Sequence, residues 1–155
     1  MKLVITAVGA MKRAPEAALL EKYIAQCPWN ISVKEVDANP KLPPDKRMQA
    51  EAEKLRAAIA GKSRGLVIAM DSRGKNLSSE QLAQLLARAQ NEGVAQVSFL
   101  IGGQDGLLPE LVRQADHVIA FGAATWPHML ARVLLAEQLY RAHCILHNHP
   151  YHGGH

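Results

Sequence analysis

The stretch Leu100-Ile101-Gly102-Gly103-Gln104-Asp105-Gly106 decides how the chain reads. It follows Val97-Ser98-Phe99, so a buried strand runs out into a glycine loop. Leu107-Leu108-Pro109-Glu110-Leu111 then opens a helix. Three glycines within five residues remove side chains where the backbone bends sharply or meets a ligand closely. In an open α/β sheet this place, the carboxyl end of a strand, is where ligands bind. A lone glycine pattern is a weak signal, and a tight strand-to-helix turn without a ligand explains it equally well.

The same alternation extends in both directions. Upstream, residues 2–8 read as a buried strand stopped by Gly9, and residues 15–26 as a helix with Ala18, Leu19, Tyr23 and Ile24 at helical spacing. A second strand follows at 31–36, then a proline-rich loop, then a helix over 46–60 capped by Asp45 and ended by Gly61. A third strand spans 65–70, with 72–75 as its exit loop. Ser78 or Ser79 caps a helix through Gln90, and 94–101 is the fourth strand. Downstream come a short helix over 107–114, a strand over 117–121 and a long helix from Pro127 to about Cys144. Strands alternating with helices predict an α/β fold, a mostly parallel sheet with helices on both faces. The loops leaving three strands, at 70–75, 102–106 and 121–127, are then neighbours in space.

At 155 residues the chain is expected to form a single domain over residues 1–155 with a real core. No apolar run reaches transmembrane length, and Met1-Lys2-Leu3-Val4-Ile5 does not open a signal peptide, so a soluble cytoplasmic protein is expected. Cys27 and Cys144 lie far apart without metal-ligand spacing and read as free thiols. Residues 1–75 hold fourteen Lys/Arg against eight Asp/Glu, while 76–155 hold four against six. A basic half suits a polyanionic partner, and a solvated basic face explains it as well.

Phe121-Gly122-Ala123-Ala124-Thr125-Trp126-Pro127-His128 is the second unusual stretch. Small residues at 122–124 leave backbone groups open to a purine edge, and Thr125 is a good helix cap. A capped helix start is the plainer reading. The last helix is apolar around most of its circumference, which sandwiches it inside the monomer or buries it against a second subunit. The tail Asn148-His149-Pro150-Tyr151-His152 is polar, aromatic and stiffened by proline, and Gly153-Gly154-His155 is expected to be flexible. His143, His147, His149, His152 and His155 invite a metal site, but no carboxylate lies in the tail and none is expected.

Taken together, Met1-Lys2-Leu3, the run Asp71-Ser72-Arg73-Gly74-Lys75-Asn76-Leu77-Ser78-Ser79, Leu100-Ile101-Gly102-Gly103, Pro127-His128, the run from Arg132 to Ala142 and the ending Asn148-His149-Pro150-Tyr151-His152 carry a resemblance. They are similar to the small single-domain SPOUT methyltransferases that modify bacterial 23S rRNA. The resemblance spans nearly the whole chain. Gln104-Asp105, Trp126 and Gly153 depart from the family's usual residues. It implies a SPOUT-type fold with a C-terminal trefoil knot, where periodicity and the rarity of knots would suggest a flavodoxin-like order. It also implies a homodimer, S-adenosyl-L-methionine as cofactor, and methylation of N3 of a pseudouridine in the 23S rRNA of the assembled ribosome. By resemblance Met70, Gly102, Gly103, Phe121, Gly122, Ala123, Ala124, Thr125 and Trp126 line the cofactor pocket.

A uracil-type N3–H is weakly acidic, with a pKa around 9–10 by analogy with phenol. A neutral base, or hydrogen bonds that stabilise the anionic ring, would help its methylation. His128, His149 and Tyr151 are the candidates, although His128 also suits a plain helix terminus. Arg132 and His152 are candidate RNA contacts, whereas Arg141 is placed to pair with Glu137 at i,i+4. Two rivals stand beside this reading, a non-enzymatic nucleotide-binding α/β module and a flavin-binding redox module. Neither explains the tail.

Overall fold

The structure, a computed structural model, describes residues 1–61 and 65–153. Its elements follow one another as β1 (Lys2–Val8), α1 (Pro15–Gln26), β2 (Asn30–Val36), α2 (Pro44–Ile59), β3 (Gly65–Asn76), α3 (Ser79–Asn91), β4 (Gln96–Ile101), α4 (Pro109–Gln114), β5 (His117–Ala120), α5 (His128–Leu146) and α6 (Pro150–Gly153). Parallel neighbours need a crossover of a dozen or more residues, and the helices supply it. All neighbouring strands are parallel, in the order β2-β1-β4-β3-β5. A flavodoxin-like order would be 2-1-3-4-5. Here β4 is inserted between β1 and β3, and β5 lies outside β3.

Alternate strand residues feed two cores, as the period of a strand requires. Leu3, Ile5, Val97, Phe99 and Ile68 pack with Leu20 of α1, Leu82 and Leu86 of α3, and Val133, Leu135, Ala136 and Leu139 of α5. On the other face Val8, Ala69 and Leu100 pack with Ala52 and Leu55 of α2 and Leu111 of α4. Helices therefore cover both faces. Every residue of α5 is buried or half-buried, because it lies between α1 and α3. Its unusual apolarity is thus largely met within the monomer.

Several boundaries differ from expectation. The helix over α1 buries Leu20, while Ala18 and Leu19 face outward and Leu19 is 40% exposed. Pro43, not Asp45, stands at the cap of α2, and Asp45 sits in the first turn, where its charge complements the helix dipole. The expected exit loop 72–75 is instead a continuation of β3. Its register slips between Met70 and Lys75, so both residues pair with Ile119. Residues 71–74 fall between two parallel pairings with β5, and Gly74 is required there because a Cβ would stand 2.7 Å from the Val118 backbone. Ser78 does cap α3, in a capping box with Gln81. The tail is no loose end, since Pro150–Gly153 forms one helical turn. Gly154 and His155, on which the expected flexibility also falls, lie outside the described residues. Among the described residues no helix is long and apolar enough to cross a membrane, and no three His, Cys, Asp or Glu side chains converge as metal ligands.

Candidate functional site

The carboxyl ends of β3, β4 and β5 open into a cleft of about 440 Å³, within the range of small-molecule sites. Met70, Ile101, Leu107, Ile119 and Phe121 supply its apolar surface, and Asp71, Gln104, Thr125 and His128 its polar surface. One wall is the glycine loop. Gly106 N–H donates to the Gly103 carbonyl at 3.0 Å, closing a tight turn, and Gly106 has φ +80°. A Cβ on Gly102 would stand 2.5 Å from the Gly106 carbonyl carbon. A Cβ on Gly103 would stand 3.1 Å from both Glu51 Oε1 and Val8 Cγ1. Gly102 is therefore demanded by the chain closing on its own turn, while Gly103 packs closely on the side chains of Glu51 in α2 and Val8 in β1.

Arg47 of α2 fixes the loop from behind. Its Nε and Nη2 donate to the two Asp105 carboxylate oxygens at 2.6 and 3.0 Å, a bidentate pair. That bond holds Asp105 below the usual carboxylate range. Glu51, one helical turn further on, is 3% exposed, and neither carboxylate oxygen has a partner among the described residues. Burial, and then the charge of Asp105, push its carboxyl up.

The opposite wall is residues 121–127. Gly122 has φ +85°, and its N–H donates to Asn76 Oδ1 at 3.2 Å. Trp126 Nε1 donates to the Phe121 carbonyl at 2.9 Å, clipping the loop into a closed turn. Thr125 is not the helix cap. Pro127 occupies that position and α5 begins at His128, which leaves Thr125 on the cleft wall. His128 also faces the cleft, and burial, with Arg132 one turn away, holds its imidazole below the usual range.

Arg132 is fully buried. Its Nη1 donates to Glu35 Oε2 at 2.9 Å, and its Nη2 donates to the carbonyls of Val8 and Gly9 at 2.6 and 2.8 Å. The expectation that Arg132 contacts RNA phosphate is corrected: its guanidinium is committed to the ends of β1 and β2 and has no open face. The tail sits at the far end of α5. The Tyr151 hydroxyl donates to Glu137 Oε1 at 3.0 Å, under the Arg141 guanidinium, and Arg141 pairs with the same carboxylate at 2.6 Å. His152 bridges Arg141 and Glu80, with Nε2 2.7 Å from Glu80 Oε1. Burial and the Glu137 bond push the Tyr151 phenol up to about 12, so it does not accept a proton in this arrangement.

The family model described as a predicted SPOUT methyltransferase matches residues 1–152. The chain belongs to the SPOUT methyltransferase family. A relative from Rhodospirillum centenum, ribosomal RNA large subunit methyltransferase H, is 41% identical over 98% of this chain and 99% of its own. A protein of the same name from Nitrobacter winogradskyi is 43% identical over 99% of this chain and 100% of its own. Among solved structures, a probable methylase family protein from Haemophilus influenzae Rd KW20 superposes with a TM-score of 0.59 at 14% identity. That match covers 97% of this chain and 69% of the other, and supports the fold alone.

Within this SPOUT chain, Met70, Gly102, Gly103, Phe121, Ala124, Thr125, Trp126 and His128 come together around one cleft, as the sequence suggested. Gly122 and Ala123 do not wall it; they shape the turn behind. His149, Tyr151 and His152 are not on it either. Asp71, Gln104 and Ala131 also line the cleft; the first two lie in the loops expected to meet, although none of the three was named as a site residue. Asp71 immediately follows the expected strand end and Ala131 lies one turn after His128, so both were within reach of the pattern. Glu35 carried no signal, since 97 residues separate it from Arg132.

Proposed function

We propose that this chain uses S-adenosyl-L-methionine to methylate N3 of a pseudouridine in 23S rRNA, acting on the ribosome in the cytoplasm as a homodimer. The observation that carries the reading is the cleft at the strand ends, with His128 on its wall, in a chain whose near-full-length relatives are named rRNA large subunit methyltransferases. The cleft fits the cofactor chemically. Apolar side chains from β3, β4 and β5 suit an adenine ring, and the backbone of Ala124 and Thr125 offers hydrogen bonds to its edge. When bound, the cofactor supplies an electrophilic methyl group on a sulfonium.

The chain has three tasks. The two clipped loops hold the nucleoside face in one orientation, so that little ordering remains at the moment of reaction. The apolar walls exclude water. His128, neutral at pH 7, accepts the N3 proton as the ring nitrogen becomes nucleophilic. The tail belongs to the site through a second subunit. Helix α5 is about 27 Å long, so a tail at its carboxyl end cannot reach the cleft at its amino end. His149 and Tyr151 would orient the base from the partner, and His152 would meet the RNA. The outward Leu19 on α1 supports such an interface.

We also infer the trefoil knot. Membership of the SPOUT methyltransferase family supports it. Incubating purified ribosomes with isotopically labelled S-adenosylmethionine, followed by mapping of the modified nucleotide, tests the function. Label on a pseudouridine N3 is expected, and no transfer to ribosomes refutes it. Calorimetric titration with S-adenosylmethionine and FMN separates it from the flavin reading.

A further inference from the structure

The proposed reaction does not use the buried guanidinium of Arg132. Among the described residues Arg132 is the largest fully buried side chain, and its Nε has no partner there. A buried ion pair is a poor source of stability, because desolvation offsets most of the attraction. Its partner Glu35 is 38% exposed at the side chain, so the pair is lopsided, with the cation inside and the anion at the rim.

What the pair does touch is the start of α5 and the ends of β1 and β2. Glu35 Oε2 also accepts from the Met11 N–H at 2.8 Å, so the carboxylate ties the loop after β1 to the same guanidinium. Gly9 has φ +94°, and a Cβ built on it would stand 3.8 Å from both Arg132 Nη2 and His128 Nε2. The guanidinium and the imidazole therefore flank the same backbone point, one turn apart on α5. Four hydrogen bonds from Arg132 and Met11 fasten that point.

We propose that Arg132 and Glu35 form a positioning pair for His128, holding the imidazole against Gly9 and setting the charge it feels. The inference rests on His128 being the proton acceptor of the proposed reaction. The groups that face His128 are few. Arg132 approaches along α5, and Glu35 comes from β2 behind Arg132. Asp71 at the cleft wall is paired with Arg73 at 2.9 Å, and Asp105 is paired with Arg47. The carbonyls of Val8 and Gly9 are taken by Arg132. With Asp71 on the cleft wall paired, and the buried Glu51 behind Gly103 pushed toward its protonated form, the Arg132–Glu35 balance decides how easily the imidazole takes a proton. A nearby cation keeps it free of one, as an acceptor must be.

The test is the titration of His128 in the full chain, read by NMR with labelled histidine, in three variants. Glu35→Gln leaves Arg132 less compensated, so the His128 midpoint should fall. Arg132→Met removes the cation and leaves the carboxylate, so the midpoint should rise, by about one unit, the usual size for a charge at this range. Should Arg132→Met not fold, the double variant Glu35→Gln/Arg132→Met carries the test. It removes both charges together and strands neither, and its midpoint should also rise. A purely structural pair would not lower the Glu35→Gln midpoint, because loosening the site relieves the burial that holds His128 down and can only raise it. Shifts of opposite sign in Glu35→Gln and in the Arg132 variants support the inference, and unmoved midpoints, or a Glu35→Gln midpoint that rises, overturn it. The acid limb of the methylation rate, measured on ribosomes, should follow the midpoints. If the midpoints move and that limb does not, the positioning pair stands and the assignment of His128 as proton acceptor falls.

Discussion

Replacing Gly102 by alanine tests how the glycine loop works. The added Cβ would meet the Gly106 carbonyl carbon at 2.5 Å, its oxygen at 2.7 Å and the Leu107 nitrogen at 2.8 Å. All three are backbone atoms, and comfortable carbon contacts begin at about 3.5 Å. No side chain can swing aside, so the turn between Gly103 and Gly106 must open. Overpacking of this kind costs about 1–3 kcal/mol, which for a chain of this size lowers Tm by roughly 2–4 °C per kcal/mol. Gly106→Ala is the control. It meets nothing within 4 Å, but its φ of +80° would cost about 1–2 kcal/mol. The two variants should lose similar stability and differ in binding. Gly102→Ala shifts the cleft wall and should weaken S-adenosylmethionine at least tenfold, or ~1.4 kcal/mol. Gly106→Ala should weaken it by less than about threefold, or ~0.7 kcal/mol. Calorimetric titration and thermal unfolding on the same samples provide both readings. Wild-type affinity in Gly102→Ala would show that the loop does not shape the cofactor site.

Three further outcomes are expected. Deleting residues 148–155 should leave cofactor affinity intact and cut single-turnover methylation at least tenfold, about 1.4 kcal/mol of transition-state stabilisation; unchanged turnover would remove the tail from the site. The methylation rate should rise with pH through the His128 pKa, because the neutral imidazole is the acceptor, and that acid limb should centre below the ordinary 6.5; a limb centred above it would point to another group. Burial raises the Glu51 carboxyl, so its contribution to stability is present at acid pH and lost as pH rises through the raised value. Glu51→Gln should therefore be more stable than wild type at pH 8, by about 1 kcal/mol, the lower range for a buried group left unpaired, with the difference shrinking toward pH 4. A pH-independent difference in denaturant unfolding would contradict this.

The alternation of strands and helices was legible in the sequence because burial writes its period locally: the runs at 2–8, 65–70 and 96–101 are apolar on both faces. The same holds for the cleft. Glycine at 102, 103 and 106 and the small residues at 122–124 mark strand ends, and in a parallel sheet strand ends on one edge are neighbours. A serine cap at 78 or 79 was readable for the same reason, and the structure settles it on Ser78, whose partner Gln81 lies three residues on. Strand order was not. Nothing local tells β4 to enter between β1 and β3, because that choice depends on which apolar faces pack together in space. Nor could the pattern show that Gly102 answers to the Gly106 backbone and Gly103 to Glu51, or that the tail lies a helix length from its own cleft. Arg132 looked like a surface cation for RNA because its charge is visible in the sequence, whereas its burial is not. Only the folded chain brings Glu35 and the carbonyls of Val8 and Gly9 to it across about a hundred residues, and those contacts bury a charge that the sequence alone would offer to phosphate.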